Sequence, residues 1–221
     1  MGWFIKFIDS SIGKKIVMAL TGLFLSIFLI AHLAGNLLLL AGDGGVKFEE
    51  YANFMAESGN IPVRIVEIAL FILLIYHIIN GIRITSINRK ARNIKYKKVD
   101  ASANSTFFSR FMIQSGGIIF IFLVIHLRSF FFPYRFSHPE ITMYEAVKTA
   151  FENPLYSGFY VFAMVLLAFH LNHGVQSAFQ TLGLYDKKIT PIIKKTGTAF
   201  AIIICLAFAI IPLYFLMGMG E

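Results

Sequence analysis

Five long apolar runs limit what this chain can fold into: residues 16–41, 65–87, 111–132, 155–179 and 198–217. Each is long enough to cross a hydrocarbon layer of roughly 30 Å. Within lipid every backbone polar group must be satisfied internally, so the spans must be helices or a closed barrel, and runs this long and uniformly apolar select helices. Hydrophobic residues make up 57% of the 221 positions and charged residues 14%, far too apolar a balance for a soluble core of this size. The expected fold is an all-α membrane protein, one five-helix bundle filling residues 1–221 with no separate soluble domain.

The net charge of +8 is explained by its distribution rather than by nucleic-acid binding. Lys6, Lys14 and Lys15 precede the first run. Arg89, Lys90, Arg92, Lys95, Lys97, Lys98 and Arg110 fill the second connection, and Lys187, Lys188, Lys194 and Lys195 the fourth. The first connection is instead acidic, with Asp43, Glu49, Glu50 and Glu57, and the third is mixed. The positive-inside rule then places the N-terminus and both basic connections in the cytoplasm and the C-terminus outside. Residues 2–8 are expected along the cytoplasmic interface, and the first run is read as an uncleaved span. The single cysteine, Cys205, supports neither a disulfide nor a thiolate metal site and reads as an apolar filler.

The halves of the chain repeat with a period of about 94 residues. Each half runs helix, outer loop with a short amphipathic segment, helix, basic connection. The outer segments are FEEYANFMAES and MYEAVKTAFE, each followed by an Asn and a Pro that open the next helix: Asn60 with Pro62, and Asn153 with Pro154. The fifth run has no counterpart in the repeat, and its Pro212 is expected to bend it.

An ionisable side chain inside hydrocarbon is costly and marks a functional site by default. Four of the runs carry one near their middle: His32, His77, His126 and His170. The spacing repeats, with 45 residues from His32 to His77 and 44 from His126 to His170. At a rise of about 1.5 Å per residue, His32 and His126 lie roughly 12–17 Å below the outer boundary, and His77 and His170 roughly 20–24 Å below it. Two pairs at two depths follow. Two neutral imidazoles converging on one point suit a six-coordinate haem iron that has no open position and therefore transfers electrons. Zinc would need four ligands at one level. His173, one turn beyond His170, serves equally well as the inner ligand on spacing alone. Ala31, Ala34, Gly35, Gly81, Gly116, Gly117 and Gly174 leave room for macrocycles, and Arg83 and Arg128 are candidates for haem propionates, with interfacial snorkelling as the competing role. His138 reads as a solvated loop histidine. Buried histidines gluing helices by hydrogen bonds would be the plain alternative to ligands.

These residues resemble the di-haem cytochrome b membrane anchor of succinate:quinone oxidoreductases, the succinate dehydrogenases and fumarate reductases of respiratory complex II. The segments that carry the resemblance are TGLFLSIFLIAHLAGNL at residues 21–37, IYHIINGIR with Arg83 six residues past His77, VIHL around His126, and FHLNHGVQSAFQTLG around His170. The resemblance spans nearly the whole chain and selects His170 over His173, by its distance from Gly183. It implies two haem b groups, the inner on His77 and His170 and the outer on His32 and His126. It also implies a flavoprotein subunit with FAD and an iron–sulfur subunit docked on the cytoplasmic side, which holds the succinate or fumarate site. Quinone, commonly menaquinone, would bind toward the outer side, with Glu50 and Tyr51 as candidate contacts, and the setting would be a bacterial inner membrane. Two rivals are weighed against it. A di-haem cytochrome b of another quinone-linked dehydrogenase differs in histidine placement, and a haem-free transporter would show broken helices or midplane acids, whereas Glu67 lies near a helix end.

Overall fold

The computed structural model describes residues 2–90, 110–137 and 139–220, and all regular structure among them is helical. A short helix α1 (Trp3–Asp9) leads into the first long helix α2 (Ser11–Asn36), which ends in a tighter turn at Leu37–Leu40. Then come α3 (Val46–Ala56) and the second long helix α4 (Ile61–Lys90). After them run α5 (Met112–His126), α6 (Met143–Glu152), α7 (Pro154–Thr181) and α8 (Ile189–Leu216). Among the described residues five helices are long and apolar enough to cross a membrane, as expected. Arg92, Lys95, Lys97, Lys98 and His138 lie outside the described residues.

The long helices overrun the apolar runs that announce them. α2 begins at Ser11, α4 occupies Ile61–Lys90 and α8 begins at Ile189. Hydropathy marks where lipid starts, but backbone hydrogen bonding continues past that level into zones where Lys14, Lys15, Lys90, Lys194 and Lys195 can solvate their charges. Caps decide the ends instead. Ser10 Oγ accepts from Gly13 N at 2.9 Å to start α2. Asn153 Oδ1 accepts from Leu155 N and Tyr156 N at 3.0 and 3.1 Å to start α7, with Pro154 in its first turn. Asn60 Oδ1 faces Val63 N at 3.4 Å, the matching arrangement at α4. Both Asn–Pro signals read from the repeat therefore work as helix starts.

Past His126, α5 continues in wide π-type turns, Leu127–Phe131 and Pro133–Ser137. Pro133 has no N–H to give to the ladder, and such turns are frequent beside functional sites. Pro212 lies inside α8, which continues through it to Leu216.

α7 is the centre of the bundle, packed on α2, α5 and α8. Its contact with α8 is made close by Ala163 and Ala201, each 1% exposed. Lipid is as apolar as leucine, so such contacts are held by close packing and interhelical hydrogen bonds rather than by the hydrophobic effect. α4 is peripheral, and Asn80 is its one fully buried residue. The Asn80 amide donates to Lys14 O on α2 at 2.8 Å. At the outer end α3 and α6 meet where Tyr144 N donates to Glu49 Oε1 at 2.5 Å. Gly45 starts α3 with φ +89 and lies under the Tyr144 ring, so both backbone conformation and space call for glycine there.

Candidate cofactor site

One cavity of about 1830 Å³ runs between α2, α4, α5 and α7, and His32, His77, His126, His170 and His173 all line it. A single-ligand pocket holds about 300–1,000 Å³, so the space suits two large groups better than one. The histidines meet across it in the expected combinations. His32 and His126 have ring centres 5.8 Å apart at an interplanar angle of 89°. His77 and His170 have ring centres 6.4 Å apart at 66°. A metal held between two imidazoles at about 2.0–2.1 Å from each nitrogen sets the ring centres about 6 Å apart. Among the described residues no cluster of three His, Cys, Asp or Glu side chains forms.

Of the two histidines left open by spacing, His170 faces His77, while His173 lies half-buried in the cavity wall. The pairs are shaped by neighbours. A Cβ on Gly22 would lie 3.3 Å from His77 Cε1, and one on Gly116 would lie 3.5 Å from His170 Cε1. The Cε1 edge of each inner imidazole thus lies close to a glycine of an adjoining helix. Gly117 and Gly174 also line the cavity and would point a Cβ into free space. His170 Nδ1 is buried with no hydrogen-bond partner among the described residues, a polar atom that a group bound in the cavity could satisfy. Donor set, spacing and glycine cradle all fit two bis-histidine haems.

Polar atoms on other helices meet the histidine edges. Thr21 Oγ1 lies 3.1 Å from His77 Nδ1. Tyr160 Oη lies 3.3 Å from His126 Nδ1 and 3.0 Å from Tyr156 Oη, which donates to Ser129 Oγ at 2.9 Å. Asn36 Nδ2 donates to His32 O at 2.7 Å and lies 3.4 Å from His32 Nδ1. Sequence reasoning missed Thr21, Tyr156 and Tyr160. The available signal was the general one that a hydroxyl in an apolar span needs a partner.

The charged candidates are arranged differently from the pairs. The structure places Arg83 against Asp9 of α1 at 3.1 Å, both side chains about half exposed at 47% and 52%. Arg128 is exposed and is not among the cavity-lining residues. Glu50 is exposed and lines a separate outer recess with Asn53 and Tyr144. Tyr51, by contrast, lines the main cavity with its ring against Gly35, and burial raises the pKa of its hydroxyl. At the outer end of the cavity Glu67 is held between Arg64, one turn earlier on α4, and Arg135 Nε at 3.4 Å. Arg64 also donates to Met55 O, and its Nε is buried with no hydrogen-bond partner among the described residues.

Fold and site together define a class: a five-helix membrane protein with two intramembrane histidine pairs facing one shared cavity. Residues 15–108 match the family described as the succinate dehydrogenase/fumarate reductase transmembrane subunit. Over that stretch, which includes His32 and His77, the chain is similar to the membrane subunit of that enzyme complex. No curated protein and no solved structure matches the chain.

Proposed function

We propose that the chain is the membrane anchor of a succinate dehydrogenase or fumarate reductase, binding two haem b groups. It carries electrons between a cytoplasmic iron–sulfur subunit and a membrane quinone. The observation that carries this reading is the pairing of four histidines from four helices at two depths.

Bound haem would supply a reversible one-electron carrier at each level. The residues do the rest. His77 with His170 would hold the inner group and His32 with His126 the outer one, each pair supplying two imidazole ligands so that the group would transfer electrons. Thr21 touches His77 and stands 11 residues before His32 on the same helix, so α2 meets both levels. Gly22 and Gly116 keep the inner pair seated. Toward the outer end, Tyr51 lines the cavity whereas Glu50 does not, which makes it the better placed of the two candidate contacts for a quinone carbonyl, menaquinone being the expected type. The N-terminus and the basic connections form the cytoplasmic docking surface for the iron–sulfur subunit and its flavoprotein partner, in a bacterial inner membrane.

A reduced-minus-oxidised spectrum with pyridine haemochrome quantitation of the purified complex tests the reading. The expected result is two b haems per chain, one lost on His32→Ala or His126→Ala and the other on His77→Ala or His170→Ala. A folded complex without haem would overturn it.

A further inference from the structure

Hydroxyl protons can be counted at both levels. Thr21 Oγ1 lies 2.8 Å from Val17 O and 3.2 Å from Met18 O, and both are carbonyls that only accept. Its single proton is committed there, so toward His77 Nδ1 at 3.1 Å the hydroxyl must accept. At the other level Tyr156 donates its proton to Ser129 Oγ, and can then only accept from Tyr160. Tyr160 has spent its proton in turn and accepts from His126 Nδ1 at 3.3 Å. Both chains end in the same state, with the proton on Nδ1 and a free lone pair on Nε2.

The arrangement is crossed. Thr21 stands on α2, the helix of the outer-pair His32, yet it contacts the inner-pair His77. Tyr160 stands on α7, the helix of the inner-pair His170, yet it contacts the outer-pair His126. The offsets are similar in length: Thr21 precedes His32 by 11 residues and Tyr160 precedes His170 by 10. The opposite members of the pairs have no such hydroxyl, since His32 faces the Asn36 amide and His170 Nδ1 is without a partner among the described residues.

Resting on the haem reading above, we infer that Thr21 and Tyr160 are positioning residues that fix the Nδ1–H tautomer of His77 and His126. Each turns Nε2 toward the metal at one level from the helix that supplies the other level's ligand. A hydrogen bond accepted from Nδ1–H raises the basicity of the ligating nitrogen and so favours the oxidised metal. The single Thr21 contact and the longer Tyr160–Tyr156–Ser129 chain make the two centres chemically unequal.

The test is a redox titration of both haems in the intact complex, with electron paramagnetic resonance of the oxidised state. The centres are assigned by the single-histidine variants. Thr21→Val is expected to move the inner midpoint potential in the positive direction and alter its low-spin signal, with the outer centre unchanged. Tyr160→Phe is expected to do the same at the outer centre only. Thr21→Ser keeps the hydroxyl and is expected to restore the inner centre, while Tyr156→Phe shifts the outer centre alone without removing Tyr160. Potentials and signals unchanged in all four, both centres moving together, or Thr21→Ser behaving as Thr21→Val would overturn the inference. Absence of haem from the unmodified complex would instead remove the reading beneath it.

Discussion

At the scale of single residues, what matters is how little room the inner imidazoles have. Gly22 leaves His77 with a contact that even a methyl group would tighten to 3.3 Å. Gly22→Leu should therefore displace the His77 ring and remove the inner haem while the outer one remains, read as one b haem per chain with the outer spectrum intact. Two haems in this variant would show that His77 is not held at that glycine. The same scale explains what the sequence disclosed. A histidine inside an apolar run is visible without knowing which way it points. Arg83 and Arg128 were not legible in that way, because distance along a helix says nothing of rotation about it. Six residues from His77 turn a side chain about 120° away from it, and two from His126 turn it about 160° away. Arg83 accordingly meets Asp9, and Arg128 lies off the cavity.

At the scale of elements, the contact between α2 and the peripheral α4 includes a buried amide. Asn80 donates to Lys14 O, but its own Oδ1 is buried without a hydrogen-bond partner among the described residues. Asn80→Leu loses one interhelical bond and also removes an unsatisfied acceptor, so its cost should be about 0.6 kcal/mol. Asn80→Asp replaces the donor with a second acceptor and should cost more, on the order of 2–3 kcal/mol. Unfolding in detergent micelles orders the two variants, and aspartate proving milder than leucine would sink this account. Element boundaries were read from hydropathy and came out short, because α2, α4 and α8 start where Ser10, Asn60 and Asp186 accept from their first-turn N–H groups rather than where the apolar run begins. The outer pieces α3 and α6 were legible from their Asn–Pro exits, whereas the Glu49–Tyr144 bond between them depends on a long-range meeting that no local pattern records.

At the scale of the whole molecule, the anchor proposed above crosses the membrane with the five long apolar helices found among the described residues, which puts its N-terminal and C-terminal ends on opposite sides. With lysines flanking the first span, a reporter active only in the cytoplasm should work at the N-terminus and fail at the C-terminus. The reverse pattern would overturn the docking surface proposed for the partner subunits.

The shared cavity bears on biogenesis. α7 packs directly on α2, α5 and α8, but the space of about 1830 Å³ beside it leaves part of the packing of α2, α4, α5 and α7 to be completed by the cofactors. A ligand that binds only the folded state stabilises it by about 4 kcal/mol at a thousandfold excess over its dissociation constant. Pigment supply should therefore govern the lifetime of the newly inserted chain. In cells starved of porphyrin, pulse-chase labelling should show the polypeptide made at the normal rate and then cleared by membrane proteases, before any partner subunit can be recruited.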